Sequence, residues 1–150
     1  MMLKEILGNV RDIDISNKII EKLELEWFEL DKRLLRKVTD RGTEVGIVLD
    51  GVHRLEPGDV LYVDDEKIMV IELLPAQAIV LEPGTMWEMA QISYQLGNRH
   101  APIFLDHDQV LVPFDPTLVE LFRKIDIQLS IENRRLEHAL QPASSHSHSH

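Results

Sequence analysis

Short apolar strands dominate the hydrophobic pattern in the first half of the chain. Residues 23–27 alternate between apolar and charged side chains, as a half-buried strand does. Further runs with strand character lie at residues 33–38, 45–49, 60–63 and 67–74. Turn sequences such as Asp40-Arg41-Gly42 separate these runs at intervals of roughly 8 to 12 residues. The first half therefore predicts a compact sandwich or barrel.

The second half mixes helical and strand periods. Thr85 is a predicted N-cap with Glu88 three residues on, as in a capping box, and a helix stop is predicted at Gly97-Asn98. A second helix is predicted to start at residues 115–117. Strands are predicted at residues 77–81, 103–105, 110–113 and 127–131. The resulting order, β-α-β-β-α-β, is the ferredoxin-like arrangement.

Two domains and a tail follow from this pattern. Residues 1–74 are predicted to form a small all-β domain, and residues 75–140 a ferredoxin-like domain, so that the chain is α+β. Residues 141–150 are predicted to be a disordered tail that carries histidine. From Pro142 onward the chain holds only Pro, Ala, Ser and His, which cannot bury enough surface to offset chain entropy.

Charge and composition exclude several classes of function. The chain has 26 acidic against 16 basic residues, a net charge of −10, whereas a nucleic-acid or anionic-membrane binder needs a basic surface. With no cysteine, disulfides, zinc-thiolate sites and thiol catalysis are excluded, and any metal site must use mainly nitrogen and oxygen ligands. Neither a signal-peptide pattern nor a membrane-length apolar run occurs, which predicts a cytoplasmic location.

Three tail histidines alternate with serine: His146, His148 and His150. In an extended chain such side chains point to one side, with their backbones about 6.6 Å apart. Two imidazoles at that spacing can converge on one metal ion, and imidazole suits nickel, copper and zinc. A purification-tag remnant or a merely polar terminus is the alternative interpretation. The tail predicts metal binding without indicating which metal.

The remaining histidines have open interpretations. His100 follows the first predicted helix, where it can serve as a metal ligand or simply interact with the last helix carbonyls. His53 lies in a polar loop, and His138 either ends the ordered domain or joins the tail. His107 lies between two aspartates at a predicted hairpin tip, which is either a metal site or a solvated turn.

Signals of catalysis are weak, and the sequence predicts neither an enzyme nor a catalytic residue. It contains no phosphate-binding loop and no His-Glu-x-x-His pair. A metal-dependent hydrolase would need a fixed site with an open position and a base, and only Asp106 and Asp108 around His107 offer an acid. Met86 and Met89 are interpreted as core or dimer interface rather than as soft-metal ligands.

Several segments carry a resemblance to one known family. The sequence Gly97-Asn98-Arg99-His100 matches the signature of the urease accessory protein UreE family, which are nickel chaperones. Residues 40–44 and 109–117 also look like segments of that family, and the resemblance covers essentially the whole chain.

The resemblance implies a function and a set of partners. Two protomers would dimerise through the second domain, with the two His100 side chains meeting at the interface around one nickel ion. The tail histidines would complete or feed that site, and zinc or copper would also bind. The family delivers nickel to apo-urease together with an accessory GTPase, and residues 1–74 would contact such partners. Whether dimers pair further into a metal-bridged tetramer is left open.

One departure from the family limits the predicted metal capacity. Some relatives carry a His-x-His pair on the strand after the signature, but the corresponding residues 110–114 contain no histidine here. The predicted ligands are therefore His100 and the tail, which can reach His100 only if the final strand ends on the same side. A structural adaptor of the urease accessory complex, or a zinc or copper storage protein, is the alternative function.

Overall fold

A computed structural model describes residues 1–50 and 54–141 of the chain. His53 and the tail histidines His146, His148 and His150 lie outside the described residues, and so does the predicted disordered tail from residue 142 onward. The chain divides into two compact units, Met1–Pro75 and Ala76–His150. No helix in the described part is long and apolar enough to cross a membrane.

The first unit is built from two β-sheets. Its elements are β1 (Met2–Leu3), β2 (Gly8–Asn9), β3 (Ile19–Leu25), a 3-10 helix (Trp27–Glu29), β4 (Leu34–Val38), β5 (Glu44–Val48), β6 (Asp59–Val63) and β7 (Lys67–Leu73). One sheet has the order β1-β5-β4 and the other the order β2-β6-β7-β3. Strand β3 pairs parallel with β7 over seven residue pairs, and the apolar residues between the sheets form one core cluster.

Strand β3 differs from the predicted strand at residues 23–27. It begins four residues earlier, at Ile19, and ends at Leu25. Its start is difficult to detect in the sequence because Glu21, a charged residue, occupies an inward position of the alternation. Trp27 instead begins the 3-10 helix, in which Glu26 and Glu29 form a reciprocal capping box.

Glu21 ties the two sheets of the first unit together. Its side chain is only 1% exposed and accepts hydrogen bonds from the hydroxyl of Thr39 and, at 3.1 Å, from the ammonium of Lys67. The bond from Thr39 is the largest cause that lowers the pKa of Glu21, which is about 2. Because Thr39 starts the turn between β4 and β5, a residue of one sheet anchors the hairpin of the other.

The second unit has the predicted ferredoxin-like fold. Its elements are β8 (Ala76–Leu81), α1 (Met86–Asn98), β9 (Phe104–Asp106), β10 (Gln109–Pro113), α2 (Pro116–Lys124) and β11 (Leu129–Arg134). The sheet has the order β11-β8-β10-β9, and every neighbouring pair is antiparallel. The predicted α+β class, with an all-β unit followed by a β-α-β-β-α-β unit, is confirmed.

Both helices contribute to the core of the second unit. The buried residues of this cluster are Ile79, Leu81, Ile92, Leu96, Val110, Val112, Leu118, Val119, Phe122 and Ile127. Helix α1 buries only Ile92 and Leu96. Met86 and Met89 are 89% and 37% exposed, so of their two interpretations, core or dimer interface, the structure excludes the core, and the dimer interface stays a prediction. The opposite side of α1 is therefore left facing outward.

Candidate functional site at the end of the first helix

Helix α1 begins as the sequence predicts. Thr85 is the N-cap, and its hydroxyl accepts a hydrogen bond from the N–H of Glu88 at 3.1 Å. The carboxylate of Glu88 accepts from the N–H of Gly84 at 3.1 Å, one residue earlier than in a standard capping box. The bond from the N–H of Glu88 satisfies one of the backbone donors that the first helical turn leaves free.

Helix α1 ends at Asn98, in agreement with the predicted stop at Gly97-Asn98, and this end places His100 in an unusual conformation. The helix continues through Gly97 and Asn98, and His100 has a φ of +53°. The N–H of His100 donates to the carbonyl of Gly97, and the N–H of Ala101 to that of Leu96, each at 3.1 Å. This is the Schellman pattern, in which the left-handed position is usually glycine. His100 thus occupies a position that costs a non-glycine residue about 1–2 kcal/mol.

The side chain of His100 makes no contact with the end of the helix through hydrogen bonds of its ring. It is exposed, and no hydrogen bond or ion pair of its ring occurs within residues 1–50 and 54–141. The carbonyls of Leu96 and Gly97, which the alternative interpretation assigns to the imidazole, accept backbone amides instead. Arg99 folds back along α1 and donates to Gln95 Oε1 at 3.3 Å, away from His100. An imidazole with free nitrogens remains available to a metal ion.

The outward side of α1 is an apolar surface that leads to His100. Met86, Trp87 and Tyr94 are 89%, 60% and 65% exposed. Small exposed residues continue the same side at helical spacing: Ala90, Ser93 and Gly97. A Cβ placed at Gly97 would meet no atom within 4 Å, so this glycine leaves open space. We call the residues Met86, Trp87, Met89, Ala90, Ser93, Tyr94 and Gly97 the α1 surface.

No group of three or more potential His, Asp or Glu ligands occurs within the described residues of one chain. A metal ion at His100 would therefore need ligands from a second copy, or from beyond residue 141. His100 alone supplies one donor, whereas nickel commonly takes four to six.

The hairpin between β9 and β10 holds its charged groups in pairs. His107 has a φ of +53°, and its Nδ1 lies 2.8 Å from Asp106 Oδ1. The other oxygen, Asp106 Oδ2, accepts from Arg134 Nη2 at 2.5 Å. These two partners, His107 first, lower the pKa of Asp106. Because both of its oxygens are engaged, Asp106 is poorly placed to act as the base of a hydrolase.

The C-terminal segment returns to the neighbourhood of His100. Leu105 N–H donates to the carbonyl of His138 at 3.0 Å, and Leu140 N–H donates to the carbonyl of Ile103 at 2.8 Å. Between them, Phe104 and Ala139 form an antiparallel bridge. The described chain therefore ends beside Ile103, three residues after His100. The pairing of this segment was not predicted from the sequence, where its signal is the apolar residue Leu136, which is fully buried.

Comparison with known proteins agrees with the resemblance. The model of the UreE urease accessory protein, N-terminal domain, matches residues 3–74, and that of the C-terminal domain matches residues 66–150. The urease accessory protein UreE of Acetivibrio thermocellus is 35% identical over 153 residues, and the match covers 100% of this chain and 100% of the relative. The protein of the same name from Flavobacterium johnsoniae is 44% identical over 116 residues, 77% of this chain and 70% of the relative. That from Haemophilus influenzae (strain PittEE) is 39% identical over 152 residues, 98% of this chain and 82% of the relative. The chain therefore belongs to the UreE urease accessory protein family.

Proposed function

We propose that this chain is a nickel-binding metallochaperone, without enzymatic activity of its own, that delivers Ni(II) to apo-urease during assembly of the urease active site. Membership of the urease accessory family supports the role in urease maturation. The observation that carries the nickel-binding part is the exposed imidazole of His100, held at positive φ at the end of the apolar α1 surface.

A homodimer would supply two of the nickel ligands, one His100 from each protomer. The α1 surface is apolar, contiguous and exposed. Such patches typically mark the places where one protein binds another. A two-fold axis through this surface would bring two His100 side chains together, because the surface ends at that residue. A metal-bridged tetramer would use the same residues from two dimers.

The tail histidines would supply the remaining donors. Ile103 lies three positions after His100, so their Cα atoms are at most about 11 Å apart. The six residues from Leu140 to His146 can span up to about 21 Å. The tail is thus long enough for His146, His148 and His150 to reach the imidazole of His100, and tethering raises their local concentration there.

A metal site of this kind suits a carrier protein better than an enzyme that retains its metal ion as a cofactor. Ligands from an exposed loop and a chain terminus can be exchanged one at a time with those of a recipient protein. Imidazole must be neutral to coordinate, so binding should weaken as the pH falls. Zn(II) and Cu(II) are also expected to bind, since nitrogen ligands favour copper over nickel in the Irving–Williams order.

The first unit would contact the accessory GTPase and the apo-urease complex. An open groove of about 630 Å³ lies on the sheet β1-β5-β4 and is lined by exposed Met2, Arg36 and Val38 among others. Residues 32–38 carry four basic and no acidic side chains in a chain of net charge −10. The proposed delivery of nickel to urease would take place in the cytoplasm, the compartment that the sequence predicts.

Titration of the full chain with Ni(II) by isothermal calorimetry tests the proposed site. His100→Ala is expected to abolish the shared dimer site, whereas His138→Ala, which removes another exposed histidine of the same unit, should leave it intact. Unchanged affinity and stoichiometry in His100→Ala would refute the assignment.

The two alternatives predict different results. A structural adaptor would still activate urease in cells when His100→Ala is combined with deletion of residues 142–150. A zinc or copper storage protein would bind those ions, and the same two changes would have no effect on urease activation.

A further inference from the structure

We propose that the outer edge of strand β4 is a docking site for an extended, acidic segment of a partner protein, which adds to the sheet β1-β5-β4 as a further strand. This role rests on the proposed contact of the first unit with its partners, but not on nickel binding. It involves neither the α1 surface nor any predicted metal ligand.

The hydrogen-bond pattern of β4 identifies the backbone groups that point outward. The N–H of Thr39 donates to the carbonyl of Thr43, and the N–H of Leu49 donates to that of Arg33, each at 2.9 Å. Bonded residues alternate along an antiparallel ladder, so the odd-numbered residues of β4 face β5. The even-numbered residues direct their backbone groups away from β5, and we call these residues the β4 edge: Leu34, Arg36 and Val38.

The β4 edge is open to another strand. Within residues 1–50 and 54–141, no backbone hydrogen bond closes it, because β4 is the last strand of its sheet. The outer edge of β3, in the other sheet of the unit, differs. There the N–H of Lys22 donates to Asp40 Oδ1 at 2.8 Å, and the carbonyl of Lys22 accepts from the N–H of Asp40 at 3.0 Å. An unpaired edge offers donors and acceptors that an extended chain can use.

The side chains of the β4 edge form an apolar–basic–apolar row. Leu34 and Val38 are 70% and 59% exposed, and Arg36 between them is also exposed. The three side chains lie on one face of the sheet, because alternate residues of a strand do so, whereas Leu35 on the opposite face is buried. Arg36 and Val38 also line the groove of about 630 Å³. An added strand that matches this row needs apolar, acidic and apolar side chains at alternate positions.

Charge decides between the possible occupants. Arg33 and Arg36 are exposed and form no ion pair in the part of the chain that the structure describes, whereas Lys37 contacts Glu29 Oε1 at 3.1 Å. A second copy that added its own β4 in antiparallel pairing would place basic residues opposite basic residues. Like charges directly opposite each other destabilise a pair of strands, but an acidic segment forms opposite-charge pairs at the same positions. The observations therefore favour an acidic partner segment over a second copy.

The alternative is that Arg36 only protects an exposed strand from pairing, as basic residues on edge strands commonly do. Synthetic peptides added to the full chain distinguish the two roles. The probe is the peptide Thr-Val-Thr-Glu-Thr-Val-Thr with blocked ends, whose Val, Glu and Val side chains lie on one side when it is extended. Its sequence is the same in both directions, so it suits parallel and antiparallel addition. One control peptide has Lys in place of Glu, and another has methyl groups on all backbone nitrogens.

The measurement is amide NMR of the full chain with each peptide. We expect the Glu peptide to shift the amide resonances of Leu34, Arg36 and Val38 and to slow their hydrogen exchange, because these N–H groups then donate to the peptide. The amides of Leu35 and Lys37 face β5 and serve as internal controls. The Lys peptide should bind about 2- to 30-fold more weakly, since a repulsive cross-strand pair replaces an attractive one. The methylated peptide should not bind.

A charge reversal provides the matched variant. Arg36→Glu should reverse the order of the Glu and Lys peptides, whereas Arg123→Glu, exposed on α2 of the other unit, should leave it unchanged. Equal affinity for the two peptides, binding of the methylated peptide, or no change at the β4 edge would overturn the inference.

Two further outcomes are also decisive. Slower exchange at the β4 edge with rising protein concentration, without any peptide, would assign this edge to a second copy and refute an acidic partner. If Arg36→Glu does not fold, the three peptides on the unmodified chain still give the answer. Failure of the proposed nickel site is read separately, as unchanged Ni(II) affinity in His100→Ala.

Discussion

Replacement of His100 by glycine should separate stability from metal binding. The positive φ of His100 costs about 1–2 kcal/mol for a residue with a Cβ. Glycine avoids this cost but loses roughly 0.5–1 kcal/mol more backbone entropy on folding. Because the imidazole is exposed and has no partner within the described residues, its removal sacrifices no packing. The metal-free His100→Gly protein should therefore be about 0.5–1 kcal/mol more stable than wild type.

His100→Ala and a second helix end provide the controls. Alanine removes the same imidazole but keeps the Cβ, so it should lose nickel without gaining stability. Helix α2 ends in the same pattern as α1: Asp126 has a φ of +58°, and Ile127 N–H donates to the carbonyl of Phe122 at 2.9 Å. Asp126→Gly should gain a similar stability and keep full nickel binding.

Thermal unfolding in the presence of a chelator, followed by circular dichroism at one protein concentration, measures these differences. A gain of 0.5–1 kcal/mol corresponds to an increase of about 1–4 °C in Tm for a chain of this size. The reasoning is wrong if His100→Gly is no more stable than His100→Ala while Asp126→Gly shows the expected gain.

Three further predictions concern other parts of the molecule. Glu21→Gln should lower the free energy of unfolding at pH 7 by about 1–3 kcal/mol, because Thr39 and Lys67 lose a charged acceptor. Since the pKa of folded Glu21 is about 2 and its ordinary value is 4.5, wild type gains this stability above about pH 4.5 and loses it as the pH falls toward 2. Urea unfolding at pH 7 and pH 3 should show the gap between wild type and Glu21→Gln narrowing at the lower pH. Ala90→Arg on the α1 surface should shift dimer to monomer in sedimentation velocity, whereas Met2→Arg, at an exposed position of the other unit, should not. The decline of nickel affinity with falling pH should be steeper for wild type than for the variant with alanine at His146, His148 and His150, because the variant has fewer imidazole ligands for which protons compete with the metal.

Local patterns were sufficient to predict most of the fold. The alternation in the first unit, and the change to helical spacing after Thr85, indicated the two kinds of architecture before any pairing was known. Where the prediction was wrong, a long-range contact had overridden a local signal. Glu21 takes an inward strand position because Thr39 and Lys67, distant in sequence, satisfy its charge.

The candidate site was predictable in part. The signature around His100 identified the residue, and Gly97-Asn98 correctly indicated the helix end, which falls at Asn98. The conformation of His100 depends on hydrogen bonds to the carbonyls of the last helical turn. Residue propensities for helix or strand do not predict such bonds. The return of the C-terminal segment to β9 could not be predicted, because its two hydrogen bonds join residues 33 and 37 positions apart. Metal binding by His100 and the tail histidines stays a prediction.

The pairing of residues 138–140 with β9 has a practical consequence for tail-deletion experiments. A truncation placed at the end of β11 would remove the histidines and also uncover the backbone groups of Ile103 and Leu105. Exposed strand edges recruit other chains, so such a protein would tend to aggregate, and its failure would be blamed on missing ligands. A deletion that begins after Gln141 keeps the edge closed and changes only the histidines.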